Sequence, residues 1–254
     1  MWRGVVWRGV MWFGVSTLHP TVTPATTRAV FVVVSLSTDM DESRAAVRET
    51  YDRIASHFAS TREYPWPEVE SFVTESTADS PATRALDLGC GNGRHVELLS
   101  SHADEVVGLD VSRGLLLEAT SRASERDFEA RLVQGDAARL PFSDDAFDLA
   151  VYVATLHHLA PRETRVESLN ELARVLDSDG RAVVSAWSTA HDTFDREDGF
   201  DTEVDWTLPG GETVPRFYHI YAPDEFDDDL AASDLSVVES RVSSGNCYAV
   251  VSGL

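Results

Sequence analysis

The sequence contains no lysine: all 21 of its basic residues are arginine, against 43 acidic residues, and the formal charge of the 254 residues is −22 at pH 7. So strong a negative charge argues against nucleic-acid binding by the surface as a whole, because phosphate contacts need positive side chains. The bias is typical of proteins adapted to high salt, in which carboxylates keep the surface hydrated. In molar salt the Debye length is about 3 Å, so we expect local arginine clusters to decide what the protein binds.

Cysteine is scarce and long apolar runs are missing. Cys90 and Cys247 lie far apart with no CxxC pair, which provides neither a disulfide framework nor a zinc site, and we predict no metal. The compartment suggested by this cysteine usage is the cytoplasm. The apolar run at residues 29–36 is shorter than the roughly 20 residues that span a bilayer, so no membrane segment is predicted.

The first 38 residues differ from the rest, since they hold three arginines and no acidic residue. Their tryptophan-glycine-valine repeat fits neither a helix nor a strand. A signal peptide is one interpretation, but a clean cleavage site is lacking. We instead expect residues 1–39 to be disordered or an over-extended gene model, and residues 40–254 to form the one folded domain.

The folded part alternates between helical and strand patterns. Helical spacing from Asp41 predicts a helix to about Phe58, and Pro67 suits the first position of a second helix. Alternation then predicts βαβ units, a mainly parallel sheet and, at the end, two antiparallel strands. The predicted parallel strands are 84–88, 105–110, 130–135, 147–155 and 181–187.

The sharpest motif is LDLGCGNG, residues 86–93, between the first of these strands and a helix. Gly89, Gly91 and Gly93 allow a tight turn and close approach of a ligand at the carboxyl edge of the sheet. A glycine turn alone is weak evidence. Asp87, two residues before the first glycine, suits a ligand with a positive group better than it suits a pyrophosphate.

Two further acids follow the next two strands. Asp110 can accept both hydroxyls of a ribose, and Asp136 can accept an adenine amino group. Three acids at successive strand ends around a glycine turn fit S-adenosylmethionine. Each acid alone could be a helix cap or a turn residue, and a nicotinamide enzyme is the main alternative.

Four segments resemble the successive motifs of class I, Rossmann-like methyltransferases: ALDLGCGNG, VVGLDVS, GDAARLPF and FDLAVYVATLHHL, within residues 80–190. The resemblance implies an α/β, three-layer Rossmann-like methyltransferase fold, with a mainly parallel seven-stranded sheet and an antiparallel C-terminal strand. It also implies S-adenosyl-L-methionine as the cofactor. The cofactor-binding residues expected from the motifs and the resemblance together are Tyr51, Asp87, Gly89, Cys90, Gly91, Gly93, Asp110, Asp136 and Ala137.

The acceptor is less constrained. The sequence after the fourth strand lacks the Asn/Asp-Pro-Pro-Tyr/Phe motif of base amino-group methylation, and Cys90 lies in the glycine turn rather than where a cytosine-attacking nucleophile would be. Arginines and histidines follow the strands instead, which suits an anionic acceptor such as a carboxylate. A carboxylate is ionised at neutral pH and needs orientation but no general base.

Nearly all of residues 45–252 is similar to the eukaryotic-type tRNA wobble-uridine carboxymethyl methyltransferases, on the segments 51–73, 154–187 and RFYHIYAPDEF. The resemblance implies esterification of 5-carboxymethyluridine in tRNA. It also implies a small zinc-binding activator protein as a partner. By residue-wise match, we expect catalytic roles for Arg62, His157, Arg216 and His219, and substrate-binding roles for Trp66, Arg162, Arg165 and Tyr218. We also expect His158, the second of the paired histidines, to bind substrate.

The chain departs from this pattern at Cys247 and Tyr248 and in an acidic insert, residues 191–206, which is less basic than a tRNA-facing loop should be. Two alternatives stay open: a methyltransferase acting on a small molecule, such as a quinone precursor or a carboxylic acid metabolite, and a non-catalytic cofactor-binding subunit. In the segment ASTREYPWP, we expect Tyr64 to plug into the core, and Arg62 and Trp66 to fold over the cofactor site, where the Trp could stack a base.

Overall fold

The computed structural model describes residues 42–253 and, as backbone, the strand at Ala29–Val33. Most of the segment that we expected to be disordered, residues 1–28 and 34–39, lies outside the described residues. Five residues of it do not follow that expectation, because Ala29–Val33 (β1) pairs in parallel with the strand Ala130–Gln134. For the remainder, disorder stays a prediction.

Strands and helices alternate along the chain as the sequence pattern predicts, after two N-terminal helices. The parallel strands come first, and the chain ends in an antiparallel pair. In chain order the elements are α1 (Glu42–Thr61), α2 (Pro67–Ser76), β2 (Ala82–Leu88), α3 (Arg94–Leu99), β3 (Ala103–Asp110), α4 (Arg113–Arg126), β4 (Ala130–Gln134), β5 (Phe147–Val153), α5 (Arg162–Val175), β6 (Leu176–Trp187), β7 (Phe200–Thr207), β8 (Thr213–Ile220), α6 (Pro223–Ala231), β9 (Ser236–Ser243) and β10 (Asn246–Ser252).

The main sheet has the order β1-β4-β3-β2-β5-β6-β10-β9. Strands β2 to β6 run parallel, and β10 is antiparallel to both β6 and β9. The predicted seven-stranded sheet with an antiparallel C-terminal strand is therefore confirmed, and β1 adds an eighth strand at its edge. The central strand β5, FDLAVYV, is apolar except for Asp148 near its start, because it is covered on both faces.

Two large apolar clusters fill the space between the sheet and its helices. One contains Leu169 and Leu172 of α5 and Phe226 of α6, and the other contains Val69 of α2 and Leu116 of α4. A third, smaller cluster joins α1 to α4 and to the β7–β8 hairpin. Within the described residues, no helix is both long enough and apolar enough to cross a membrane.

The sequence did not predict the β7–β8 hairpin, a separate two-stranded sheet with eight residue pairs. The acids of its first strand, which fall largely in the acidic insert, alternate with inward-facing side chains, and Gly210 and Gly211 form the turn at positive φ. The hairpin packs on α1 and on a 3-10 turn, Leu156–His158, that follows β5. It brings β8 next to the carboxyl edge of the main sheet.

Candidate active site

The glycine turn connects β2 to α3 at the carboxyl edge of the sheet. Gly89 and Gly91 have φ of 77° and 53°, a left-handed conformation that side chains disfavour. A Cβ on Gly89 would lie 2.0 Å from Oγ1 of Thr155, in the turn that follows β5. The two turns are thus in direct contact, and only glycine fits at position 89.

A cleft lies above this turn, and together with its solvent-filled mouth it encloses about 890 Å³. Of the predicted cofactor-binding residues, those that line it are Tyr51, Gly89, Cys90, Gly91, Asp110, Asp136 and Ala137. Gly93 and Asp87 do not line it. Burial raises the pKa of the Cys90 thiol well above its ordinary value, so this side chain is a neutral part of the wall.

Asp110, at the end of β3, faces the glycine turn. Its Oδ2 accepts a hydrogen bond from Gly91 N and its Oδ1 accepts one from Ser112 N, both at 2.8 Å. Burial raises the pKa of Asp110 to about 6, and these hydrogen bonds oppose the shift. The carboxylate is fixed in place and keeps lone pairs that can accept from a diol.

Asp136, the third acid, is already engaged. Its Oδ2 pairs with Arg44 at 2.5 Å and its Oδ1 accepts from Ala138 N at 3.0 Å. Arg44 belongs to α1, so this ion pair ties the start of that helix to the turn after β4. The site of the predicted adenine contact is therefore formed jointly by α1 and the sheet edge.

Asp87 lies beneath the turn, with 1% of its surface exposed and an Oδ2 that has no hydrogen-bond partner. Burial raises its pKa to about 8, while the nearby Arg94 acts in the opposite direction. Arg94 lines the cleft, and burial together with Arg62 lowers its pKa to about 10. A buried acid with one unpartnered oxygen beneath the turn and a cleft-facing guanidinium suit the ammonium and carboxylate of an amino-acid group.

The two histidines after β5 are held in opposite tautomers. Nδ1 of His158 donates to the carbonyl of Phe217 at 2.8 Å, so its Nε2 accepts from the Tyr51 hydroxyl, also at 2.8 Å. Nδ1 of His157 accepts from Trp187 N at 3.0 Å. Burial lowers the pKa of His158 to about 4 and that of His157 well below its ordinary value, so both are neutral at pH 7.

Only His158 of this pair lines the cleft. The ring of His157 packs behind it, 4.5 Å from the His158 ring and 4.8 Å from the Tyr218 ring, centroid to centroid. His95, on α3, also lines the cleft with a buried Nε2 that has no hydrogen-bond partner. Burial and the charges of Arg94 and Arg122 lower its pKa well below the ordinary value.

Arg216 of β8 is buried, at 8% exposure, and no described residue forms an ion pair with it. One Nη donates to the Tyr218 hydroxyl at 2.7 Å, and its Nε has no hydrogen-bond partner. The ring of Tyr218 lies 4.4 Å, centroid to centroid, from that of His158, which lines the cleft, so Tyr218 and its partner Arg216 lie behind the cleft wall. A buried guanidinium without a carboxylate partner is costly unless an anion binds it.

Arg62, at the end of α1, converges on the same place. Its guanidinium lies 5.3 Å from the centroid of the Trp206 ring, and that of Arg216 lies 4.8 Å from it. The hydrogen bonds of Arg62 go to Thr61, and it too has no acidic partner among the described residues. Trp206 is fixed by a hydrogen bond from its Nε1 to Nδ1 of His57 at 3.0 Å.

Three other predicted site residues are not brought to the cleft. Arg162 and Arg165 pair with the fully buried Asp229 of α6, at 2.5 and 3.4 Å. His219 lies between Asp201 and Glu225, at 2.7 and 2.8 Å. Their contacts join α5, α6 and the hairpin, so in this structure they hold these elements together.

The segment before α2 differs from our expectation. Tyr64 is 71% exposed, so the prediction that it plugs into the core is wrong. Trp66 is the partly buried residue: its ring contacts Tyr248, and Arg94 lies 5.1 Å from its centroid. Residue order alone does not tell which of two neighbouring aromatics turns inward, because Pro65 and Pro67 fix the path between them.

Helix α1 forms one side of the whole cleft. Arg44, Val47, Tyr51 and Phe58 line it from this helix. Polar contacts hold the helix in place: besides the Arg44 and Tyr51 contacts, Oδ1 of Asp52 accepts from Ser112 Oγ at 2.7 Å and from Gly114 N at 2.8 Å.

Sequence reasoning missed Arg94, His95 and Trp206. Arg94 and His95 directly follow the glycine turn, and that adjacency was a signal available in the sequence. Trp206 had no such signal, because its role depends on the hairpin that carries it.

The parallel sheet, the left-handed glycine turn and the carboxylates at successive strand ends define the cofactor site of a class I S-adenosylmethionine-dependent methyltransferase. The residues present fit that cofactor: a buried acid with one unpartnered oxygen for the ammonium, a cleft-facing arginine for the carboxylate and a fixed acid for the ribose.

Comparison with known proteins supports the assignment to the methyltransferases. A methyltransferase domain family matches residues 86–184. The chain is 36% identical over 145 residues to the tRNA (carboxymethyluridine(34)-5-O)-methyltransferase of Xenopus tropicalis, and these cover 57% of this chain and 21% of that protein. It is 30% identical over 181 residues to the enzyme of the same name from Saccharomyces cerevisiae, covering 69% of this chain and 61% of that one.

A methyltransferase-like protein of Encephalitozoon cuniculi is 30% identical over 214 residues, which cover 81% of this chain and 94% of that protein. Among solved structures, an S-adenosylmethionine-dependent methyltransferase from Clostridium acetobutylicum superposes with a TM-score of 0.61 at 15% identity, covering 81% of this chain and 96% of that one. The chain belongs to the class I S-adenosylmethionine-dependent methyltransferases.

Proposed function

We propose that this methyltransferase esterifies the carboxylate of 5-carboxymethyluridine at the wobble position of tRNA. The observation that carries the proposal is Arg216, a buried guanidinium beside the cleft with no ion-pair partner among the described residues. The named activity of the Xenopus and yeast relatives supports the same acceptor. Because the chain spans only part of those two relatives, the substrate is inferred from the site and the relatives together.

The charge around Arg216 selects the acceptor class. A planar guanidinium binds a carboxylate through two parallel hydrogen bonds, and Arg216 has its Nε free of any partner. Arg62 adds a second positive charge across Trp206. An anion that enters between these groups would satisfy the buried charge, whereas a neutral amine or phenol would leave it unpaired.

The histidines argue against an acceptor that must lose a proton. His158 uses both ring nitrogens, on Phe217 and Tyr51, and is neutral at pH 7. His95 is a weak base because its pKa is lowered well below its ordinary value. A carboxylate is already ionised, so it is the acceptor that this wall can serve without a general base.

In the reaction, the cofactor when bound supplies an electrophilic methyl group on a sulfonium. The protein's residues have the remaining tasks. Arg216 and Arg62 orient the carboxylate, and Tyr51, fixed by His158, separates the acceptor end of the cleft from the rest. The buried rings of Trp206 and Tyr218 exclude water from the acceptor end.

The test uses the full chain, labelled cofactor and two tRNAs that differ only at the wobble uridine, one carrying the 5-carboxymethyl group and one unmodified. Mass spectrometry of the nucleosides should find the methyl ester on the first tRNA alone. Arg216→Ala and Arg62→Ala should each lower kcat/KM by about tenfold to a hundredfold, as expected for lost charge-assisted hydrogen bonds, and leave cofactor affinity unchanged.

Arg181→Ala is the matched control, because Arg181 is exposed and lies on β6 six residues before its carboxyl end. Its kcat/KM and its cofactor affinity should equal those of the unmodified chain. Transfer to a small carboxylic acid with tRNA inert would refute the tRNA substrate, and full activity of Arg216→Ala would refute the assigned anion site.

We also propose a small zinc-binding activator protein as a partner, in line with the family resemblance. The described residues hold no cluster of three or more side chains that could bind a metal, so zinc would come with that partner. Co-expression should yield a stable complex with a raised melting temperature. A chain that is fully active on tRNA and forms no complex would contradict the proposal.

We further propose that the protein works in the cytoplasm at high salt. With a formal charge of −22, self-repulsion should destabilise the fold in dilute buffer and weaken as salt is added. Thermal melting from low to molar potassium chloride should show a rising midpoint. A flat or falling profile would contradict the high-salt assignment.

A further inference from the structure

Strand β9 is the edge of the main sheet, with β10 as its only neighbour among the described strands. The burial pattern leaves its six central residues exposed. Of the five exposed large hydrophobic side chains in the described part of the chain, three lie on this strand: Val237, Val238 and Val242, at 45%, 56% and 45%. An exposed apolar edge strand is a template for pairing with another strand.

The backbone of β9 is suited to such pairing. Its ladder with β10 is regular from Glu239 to Ser243. The one register shift, between Val250 and Val251, makes Val238 a bulge residue with no partner on β10. In an antiparallel ladder every second residue directs its N–H and C=O away from the neighbour. Those groups on the outer edge of β9 are therefore available to a second strand.

The sequence of β9, SVVESRVS, is complementary to itself when reversed. With a two-fold axis through Ser240, Glu239 of one copy lies opposite Arg241 of the other. Val238 lies opposite Val242 in the same arrangement. Opposite-charge and apolar cross-strand pairs of this kind each stabilise a sheet.

The positions and exposure of the side chains on β9 allow these cross-strand pairs to form. Glu239 and Arg241 lie on one face of the strand and form an ion pair within each copy, at 2.5 Å. Their side chains are 53% and 42% exposed, so each can also reach a partner across the edge. On the other face, Ser240 is held by Asp227 at 2.6 Å, which fixes the residue at the axis.

We propose that two copies of this chain associate through an antiparallel β9–β9 contact, which joins their sheets into one continuous sheet. The complementarity of the strand with itself selects a second copy over an unrelated partner, because a single sequence supplies both members of every pair. A two-fold contact of this kind is isologous, so it closes at a dimer. It lies at the opposite edge of the sheet from β1 and β4 and leaves the cleft open.

The contact should depend on salt in an unusual direction. Each copy carries a formal charge of −22, so the copies repel at low ionic strength. Added salt screens that repulsion over the whole surface, whereas the local Glu239–Arg241 pairs act at contact distance. The dimer should therefore become tighter as salt rises.

The test measures the dimer dissociation constant of the full chain by sedimentation velocity over a concentration and salt series. Glu239→Arg and Arg241→Glu each place like charges opposite one another twice, and each should weaken the dimer about tenfold or more. The double variant E239R/R241E restores every pair and should recover the dimer. Mixing the two single variants should give a heterodimer, because their charges are then complementary.

The heterodimer distinguishes the proposal from simple misfolding, since a strand that fails to form could not be restored by mixing. Glu125→Arg, an exposed position on α4, is the control with the same charge change as Glu239→Arg and should leave the dimer intact. The proposal is overturned if the unmodified chain stays monomeric up to its solubility limit in molar salt. It is equally overturned if a dimer forms that neither single variant weakens.

Discussion

The hydroxyl of Tyr51 donates a hydrogen bond to Nε2 of His158 at 2.8 Å, across 107 positions of sequence. The contact joins α1 to the turn after β5. It holds together two cleft-lining rings, that of Tyr51 and that of the neutral His158.

Tyr51→Phe should impair transfer more than cofactor binding. The substitution keeps the ring and leaves Nε2 of His158 buried without a donor, at a cost of about 1–3 kcal/mol. We expect kcat to fall about fivefold to tenfold with a small change in cofactor affinity, measured by single-turnover transfer and calorimetry. A variant with normal kcat would mean that the hydrogen bond is structural only.

Asp87→Asn should stabilise the protein without cofactor and weaken cofactor binding. The folded-state pKa of Asp87 is about 8, above the ordinary 3.8, so the folded state holds a proton that the unfolded state releases. This contribution to stability is full below pH 3.8 and is lost as the pH rises to about 8. The asparagine variant should melt higher near pH 8 and lose that dependence.

Cofactor affinity gives the second measurement for Asp87. The ammonium of the amino-acid group favours the ionised carboxylate, so affinity in the unmodified chain should rise from pH 6 to about pH 8. In Asp87→Asn the affinity should be at least about tenfold lower and nearly independent of pH over this range. Equal affinities in both proteins would show that Asp87 does not bind the ammonium.

Trp206→Leu should weaken the acceptor site. Leucine fills much of the space but removes the ring on which Arg62 and Arg216 both stack, and each such contact is worth about 0.5–2 kcal/mol. We expect kcat/KM on tRNA to fall about tenfold. Trp206→Phe is the matched control, because it keeps an aromatic face. Its kcat/KM should lie between that of the unmodified chain and that of Trp206→Leu.

Asp229→Asn tests the network that joins α5, α6 and β8. Asp229 is fully buried and binds Arg162, Arg165 and Tyr221, so the neutral variant removes one of the two carboxylates that pair with the buried Arg165, the other being Glu225. The free energy of unfolding should fall by about 3–5 kcal/mol in urea titration. Asp228→Asn, at an exposed neighbour, should change it by less than about 0.5 kcal/mol.

The fold could be predicted because its signals are local and repeated. Largely apolar segments such as FDLAVYV, helix spacing between them and a glycine turn at residues 89–93 each specify one element, and βαβ order then specifies the sheet. The β7–β8 hairpin escaped prediction because its alternating acids, in a chain rich in acids, look the same as a solvated loop.

The candidate site was predictable on the cofactor side and less so on the acceptor side. Asp110 and Gly91 are 19 positions apart and their contact follows from the strand order. Arg62, Trp206 and Arg216 meet only because α1 and the hairpin pack together, a tertiary contact that no short motif encodes. The same limit applies to Tyr64, whose exposure depends on the path between two prolines.

Helix α1 lines the cleft from Arg44, near Asp136, to Phe58, near Arg62, a distance of about 21 Å at 1.5 Å per residue. The end of the cleft at Asp136, where we predict the adenine contact, and the end near Arg62, where we propose that the acceptor binds, are thus both positioned by the rotation of one helix about its axis. Inserting a single residue between Arg44 and Tyr51 would rotate one half by about 100° relative to the other. Both ends could not then be occupied at once, so the length of this segment is as constrained as the chemistry of its residues.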